Sequence, residues 1–290
     1  MPYNLPLYRP PSEAESLILQ ITIGCSHNKC TFCSMYKTKS FKVLSEDELT
    51  RHITWAHSQY PSARRIFLAD GDALTINTDR LIKIIESLYK RFPKLERITA
   101  YAGPQNIIDK SHTELKSLNA AGLKMLYIGV ESGSNQVLKN IAKGTTAQDM
   151  AAACSKAKEA GFKLSCTIIS GLGGQQLWQE HAAATAEIVN EIDPDYLGML
   201  TLLVEENAPL FKQIKKGLFK LLGPEEILEE IKLMLSGFNL TNCIFRSNHP
   251  SNYLSLKGIL NKDKERLLME LSKAQKLGQQ VLRPEEFRGL

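Results

Sequence analysis

The chain has 290 residues, enough for one large α/β domain or two ordinary ones. Hydrophobic residues make up 43% and charged residues 23%, a globular balance that excludes a mainly disordered or collagen-like chain. The net charge of +5, with no long block of like charge, is too mild to mark a nucleic-acid or membrane binder by itself.

The first stretch, MPYNLPLYRPPSEAES, is proline-rich and lacks the basic and apolar blocks of a signal peptide. It is expected to be an extended arm over residues 1–16 of a cytoplasmic protein. No apolar run approaches the roughly 18 residues that a membrane span needs, so no membrane association is expected. Six short apolar runs then read as strands: Leu17–Ile23, Arg65–Ala69, Arg97–Ala102, Met125–Val130, Leu164–Ile169 and Tyr196–Leu203. Between them lie amphipathic helices at Ser45–His57, Thr78–Arg91, Ser111–Ala121, Thr146–Ala160 and Leu177–Ile192. Ser45 and Glu48 have capping-box spacing, and Gly122 and Gly161 close two helices ahead of the next strand. Strands alternating with helices predict an α/β fold with a parallel sheet, open or closed into a partial barrel.

After Val204 the alternation is expected to stop. A basic helix near 208–220, a helix after Pro224, a strand near 242–245 and a last helix at 263–277 are expected to form a separate covering layer over residues 205–290. Lys212, Lys215, Lys216 and Lys220 share one helical face. That face reads as a solvated exterior opposite Leu210, Phe211, Ile214 and Leu218, or as a docking surface for an acidic partner.

Chemistry in parallel α/β folds collects at the carboxyl ends of the strands. Cys25, Asp70-Gly71-Asp72, Gly103-Pro104-Gln105, Glu131-Ser132-Gly133 and Ser170-Gly171 all fall there, although ordinary βα turns are also rich in Gly, Ser and Asp. Three of the six cysteines, Cys25, Cys30 and Cys33, lie within nine residues at C-x4-C-x2-C spacing. Thiolates at this spacing suit an iron–sulfur cluster with one iron left open. The lesser alternative is a structural zinc completed by His27 or a distant residue. Cys154 and Cys166 read as small buried hydrophobes.

A cysteine trio after the first strand, with the aromatic Phe32 just before the third cysteine, resembles the radical S-adenosylmethionine (radical SAM) superfamily over residues 17–204. The family's usual spacing is C-x3-C-x2-C, so this loop carries one extra residue before Cys30. The resemblance implies a six-stranded (β/α)6 partial TIM-like barrel. It implies a 4Fe–4S cluster on Cys25, Cys30 and Cys33, whose open iron takes SAM. Reductive cleavage of SAM would give a 5′-deoxyadenosyl radical that abstracts hydrogen from substrate, the electron coming from a flavodoxin- or ferredoxin-type donor. By the same resemblance Phe32, Asp70, Gly71 and Asp72 line SAM, with Asp72 at its ammonium. Glu131 would hold the ribose hydroxyls, and Ser170 and Gly171 the adenine side.

The substrate is expected to be a small molecule rather than RNA or a peptide. Its candidate contacts are Arg246, Asn248 and His249, in a segment dense in hydrogen-bonding groups, with Tyr101 and Gln105 as a second place. A polar loop ended by Pro250 accounts for the same segment. The competing reading is a non-catalytic zinc or iron–sulfur module that organises a nucleic-acid or protein-binding surface. Asp72 and Glu131 at strand ends favour the enzyme, since a binding module needs neither.

Overall fold

A computed structural model describes residues 3–289. Ten strands and ten α-helices alternate along it. They are β1 (Leu17–Gln20), β2 (Thr22–Ile23), β3 (Lys42–Val43), α1 (Glu46–Gln59), β4 (Arg65–Ala69), α2 (Thr78–Arg91), β5 (Arg97–Tyr101) and α3 (Pro104–Asp109). Next come α4 (His112–Ala121), β6 (Leu123–Glu131), α5 (Asn135–Asn140), α6 (Ala147–Glu159), β7 (Lys163–Ser170) and α7 (Gly174–Ile192). The last are β8 (Tyr196–Thr201), α8 (Pro209–Lys215), α9 (Pro224–Gly237), β9 (Cys243–Arg246), β10 (Lys257–Leu260) and α10 (Lys264–Leu277).

Eight strands share one hydrogen-bonded sheet in the order β1-β4-β5-β6-β7-β8-β9-β10. Within this sheet the pairs β1–β4, β4–β5, β5–β6, β7–β8 and β8–β9 are parallel and β9–β10 is antiparallel. The expectation of six strands is therefore corrected to eight. The alternation does not stop at Val204, because α9 serves as one more crossover and delivers β9 parallel to β8, with Tyr196 opposite Ile244. The chain end thus extends the sheet instead of standing wholly apart as a separate layer. The single run Leu17–Ile23 is also broken at Ile21, and its second part, β2, turns away to pair with β3.

The chain divides into two compact units. The first combines the residues up to Asn28 with Met35–Ile128 and Ala152–Leu164; the second combines Lys29–Ser34, Gly129–Ala151 and Ser165 onward. In the first, α2 buries Leu81, Ile84, Ile85 and Leu88 at helical spacing and lies beside α4. Each such side chain contributes about 1.5–3 kcal/mol by leaving water. Ser45 and Ser111 complete capping boxes with Glu48 and Glu114, which fix where α1 and α4 begin. The arm is tied down within this unit. Glu13 is fully buried, bonded by Arg97 at 3.0 Å and Tyr127 at 2.6 Å.

In the second unit α9 lies between α7 and α10. The basic helix is shorter than expected: the Gly217 amide bonds the Ile214 carbonyl and the Leu218 amide bonds that of Gln213, closing α8. Leu218 is consequently 71% exposed and does not belong to the apolar face assigned to it. Among the described residues no helix is long and apolar enough to cross a membrane.

Candidate active site

The first unit holds the start of the cysteine loop against the end of β4. Asp70 is fully buried, and its Oδ2 accepts from the Gly24 amide at 3.0 Å, Gln20 Nε2 at 3.1 Å and Lys39 Nζ at 2.9 Å. Lys39 Nζ also reaches the Asn4 carbonyl at 2.6 Å. A buried ion pair of this kind is costly to break, about 3–5 kcal/mol when one partner is removed. Asp70 therefore ties down the residue preceding Cys25 and, through Lys39, the chain beyond Cys33. Gly71 has no room for a side chain: a Cβ there would lie 2.9 Å from Cys25 Cβ, and its amide donates to the Gly24 carbonyl at 3.0 Å. The turn after β4 is pressed onto the first cysteine.

Asp72 is buried and caps the short turn that follows, accepting from the Leu74 amide at 3.1 Å. Its other oxygen accepts from the Gly103 amide at 2.9 Å and Asn106 Nδ2 at 2.6 Å. Desolvation pushes its carboxyl up to about 6 against the pull of these bonds. The β4 and β5 ends are thereby joined. Tyr101 is half-buried, edge-on to Phe67 at 5.0 Å between ring centres, and exposed Gln105 bonds Asp109 at 2.7 Å.

The second unit carries the rest of the loop. Cys30, Phe32 and Cys33 are half-buried, and Thr31 between them is clasped on both sides of its backbone. Its amide bonds the Ile141 carbonyl after α5, and its carbonyl accepts from Leu210 in α8, both at 2.8 Å.

Glu131 ends β6 with φ +65, a left-handed conformation that costs a non-glycine residue about 1–3 kcal/mol and is retained where the surroundings impose it. Lys143 Nζ lies 3.1 Å from its Oε1, while Oε2 is buried without a hydrogen-bond partner. The turn behind it is pinned by α7. Ser132 Oγ and His181 Nδ1 are 2.7 Å apart, His181 Nε2 is 3.0 Å from the Ile169 carbonyl, and the Gly133 amide donates to Thr185 Oγ1 at 3.0 Å. Burial pushes the His181 ring down to about 4, so it is neutral at pH 7. A neutral ring donates from Nε2 to the carbonyl and accepts the serine proton at Nδ1. Ser170 and Gly171, after β7, both donate to Glu230 of α9.

Among the described residues no hydrogen bond joins the substrate candidates of this unit to one another. Arg246 donates to the neighbouring Phe245 carbonyl at 2.8 Å, Asn248 is exposed, and His249 Nδ1 folds back onto the Ser251 amide at 3.1 Å. Burial and the nearby Arg283 both lower the His249 ring.

Sequence reasoning placed the strand-end residues but missed Lys39, Asn106, Lys143, His181 and Glu230. Two had a signal: Glu230 and His181 interrupt the apolar stripes of their own helices. Lys39, Asn106 and Lys143 act from loops or a short helix, where no periodicity marks an inward residue.

The profile of the Radical SAM superfamily matches residues 19–186, more than half of the chain. The chain belongs to the radical SAM superfamily. Radical SAM proteins use a 4Fe–4S cluster and SAM. The heme chaperone HemW of Bacillus subtilis is 24% identical over 214 residues, covering 73% of this chain and 55% of HemW. The chain thus spans about half the length of that relative. Among the solved structures that share the fold are two enzymes. One is the methyltransferase TsrM from Kitasatospora setae with cobalamin and a [4Fe–4S] cluster bound, at TM-score 0.56 and 17% identity, covering 70% of this chain and 39% of TsrM. The other is methylornithine synthase (PylB), at 0.54 and 16%, covering 90% of this chain and 81% of that one.

The residues present fit the family's two cofactors. The loop offers three soft sulfur donors, all partly accessible, a set suited to a cluster that spreads its ligands over separate irons. Oε2 of Glu131 is buried and has no hydrogen-bond partner among the described residues, the kind of acceptor that a ligand's donor group can satisfy. Asp72 receives three N–H groups, one fewer than the roughly four acceptor sites of a carboxylate.

Proposed function

We propose that this chain is a radical SAM enzyme acting on a small molecule, with Cys25, Cys30 and Cys33 ligating a 4Fe–4S cluster. The observation that carries the reading is the division of the six cysteines. The three on the family's loop are partly exposed, and the three elsewhere are buried. The bound cluster would supply the electron for reductive cleavage of SAM and an open iron for its amino and carboxylate groups.

The chain's own residues supply order and polarity around that chemistry. Asp70 and Lys39 hold the loop's flanks, and Gly71 lets the β4 turn lie directly on Cys25. Phe32 stands between the second and third ligands, beside SAM. Asp72 offers its remaining acceptor site to the SAM ammonium, Glu131 offers Oε2 to a ribose hydroxyl, and Ser170 and Gly171 border the adenine. Residues 17–204 carry this machinery in our reading, and residues 205–290 cover the substrate, with Arg246, Asn248 and His249 toward it and Tyr101 and Gln105 as a second contact region. A flavodoxin- or ferredoxin-type protein would deliver the electron.

Anaerobic reconstitution tests the reading. Wild type is expected to take up iron and sulfide and, with dithionite and SAM, to release 5′-deoxyadenosine. Replacing Cys25, Cys30 and Cys33 together with Ala should abolish iron and sulfide binding, while Cys154→Ala, Cys166→Ala and Cys243→Ala should leave it intact. Stoichiometric zinc, with no iron–sulfur absorption after reconstitution, would favour the non-catalytic metal module instead.

A further inference from the structure

One acid on α9 occupies a place where the helical pattern calls for an apolar side chain. Ile227, Leu228, Ile231, Met234 and Leu235 form the buried stripe, and Glu230 lies within it, three residues after Ile227 and four before Met234, fully buried. A carboxylate in that position is costly unless its hydrogen bonds are made. Oε2 makes two, from the Ser170 hydroxyl at 2.5 Å and the Gly171 amide at 2.6 Å. Both are at the short end of the range, as charge-assisted bonds are. Oε1 is buried with no hydrogen-bond partner among the described residues, and the bonds that the carboxyl makes go to this one turn. Burial pushes the carboxyl up to about 7 even against these two bonds.

The same helix face also dictates what the turn can be. Gly171 has φ +89, and a Cβ there would meet Ile227 Cδ1 at 3.1 Å. One turn of α9 therefore excludes a side chain at position 171 with Ile227 and holds the backbone of that residue with Glu230.

We infer that Glu230 is a positioning residue that locks the Ser170–Gly171 turn for the adenine end of SAM. This role rests on the assignment of that turn proposed above. Glu230 acts through the Gly171 amide and the Ser170 hydroxyl and touches neither ligand nor reacting atoms. Its effect is preorganisation: a turn already ordered by two short hydrogen bonds loses little entropy when a ligand settles on it.

The test compares Glu230→Leu, Glu230→Gln and Ser170→Ala with wild type in the reconstituted protein. The readouts are hydrogen exchange at the Gly171 amide, equilibrium binding of SAM, and iron content. Glu230→Leu fills the space but removes both acceptors; exchange at Gly171 should accelerate by about tenfold or more and SAM affinity should fall about tenfold, the worth of one lost bond to a charged group. Glu230→Gln keeps an acceptor oxygen and should restore most of the protection. Ser170→Ala loses one of the two bonds at little risk to folding and should fall between, so the series stands even if the Leu variant does not fold. Iron content should be unchanged throughout. Unchanged Gly171 exchange in Glu230→Leu, or in Ser170→Ala should the Leu variant not fold, would overturn the lock. Faster exchange with wild-type SAM affinity would show that the turn does not serve SAM, and would overturn the role. Failure of wild type to bind SAM would sink the proposed function itself, leaving the exchange data to identify Glu230 as a structural anchor only.

Discussion

His181 shows what a single buried side chain does for the turn bearing Glu131. Its ring bridges Ser132 to the Ile169 carbonyl, and only the neutral form can accept the serine proton. Because burial lowers its folded pKa to about 4 from 6.5, the unfolded chain takes up a proton that the folded protein refuses. The stabilisation is complete above about pH 6.5 and is lost as pH falls toward 4, by about 3 kcal/mol in all. Glu230 and Asp72 have raised folded values, about 7 and about 6, and act in the opposite sense, favouring the folded state as pH falls. The histidine contribution is therefore isolated as the stability difference between wild type and His181→Gln in urea titrations. That difference should shrink steadily from pH 7 to about pH 4. A constant difference would mean that the ring is not held neutral.

At the scale of elements, capping chemistry decides where helices begin and hence where strand-end turns fall. Ser111 and Glu114 form a reciprocal box at the start of α4, and Glu114 also accepts from Thr78 at 2.6 Å, linking it to α2. Ser111→Ala should cost about 1 kcal/mol in urea denaturation and leave iron uptake unchanged, since it removes one cap and touches no cysteine. Such signals made most of the fold legible in the sequence. Five of the six apolar runs are single strands and the first is split at Ile21, and five of the expected helices fall within a few residues of their expected limits. The short α3 and α5 were not read, because six residues are too few to show a helical period. β9 was read as a strand but assigned to the wrong layer, for pairing partners are not written in local sequence. The cysteine trio and the strand-end acids were legible from spacing and position. The side chains that hold those acids and turns come from distant segments. Glu230 interrupts the apolar stripe of α9, but its neighbours Glu225, Glu226 and Glu229 make the same stretch acidic, and the turn it holds is about sixty residues away.

Across the whole molecule, the fold keeps two populations of thiol. Cys154 on α6, Cys166 on β7 and Cys243 on β9 are enclosed, and burial pushes the Cys243 thiol up to about 12, so it carries essentially no thiolate at neutral pH. Cys25, Cys30 and Cys33 are within reach of solvent. Brief treatment of the cluster-free protein with iodoacetamide should therefore carboxamidomethylate the peptides bearing the loop cysteines. The other three should react only after denaturation, which peptide mass spectrometry would read directly. The same partition governs damage by air. Oxygen and peroxide would attack the loop first, giving sulfenic acids and disulfides that a reductant reverses, then sulfinic acids that it does not. Protein purified in air could keep its secondary structure and melting behaviour, retain its interior thiols in full, and still have lost the capacity to take up iron. The diagnostic is the oxidation state of three sulfur atoms, which a circular dichroism spectrum does not register.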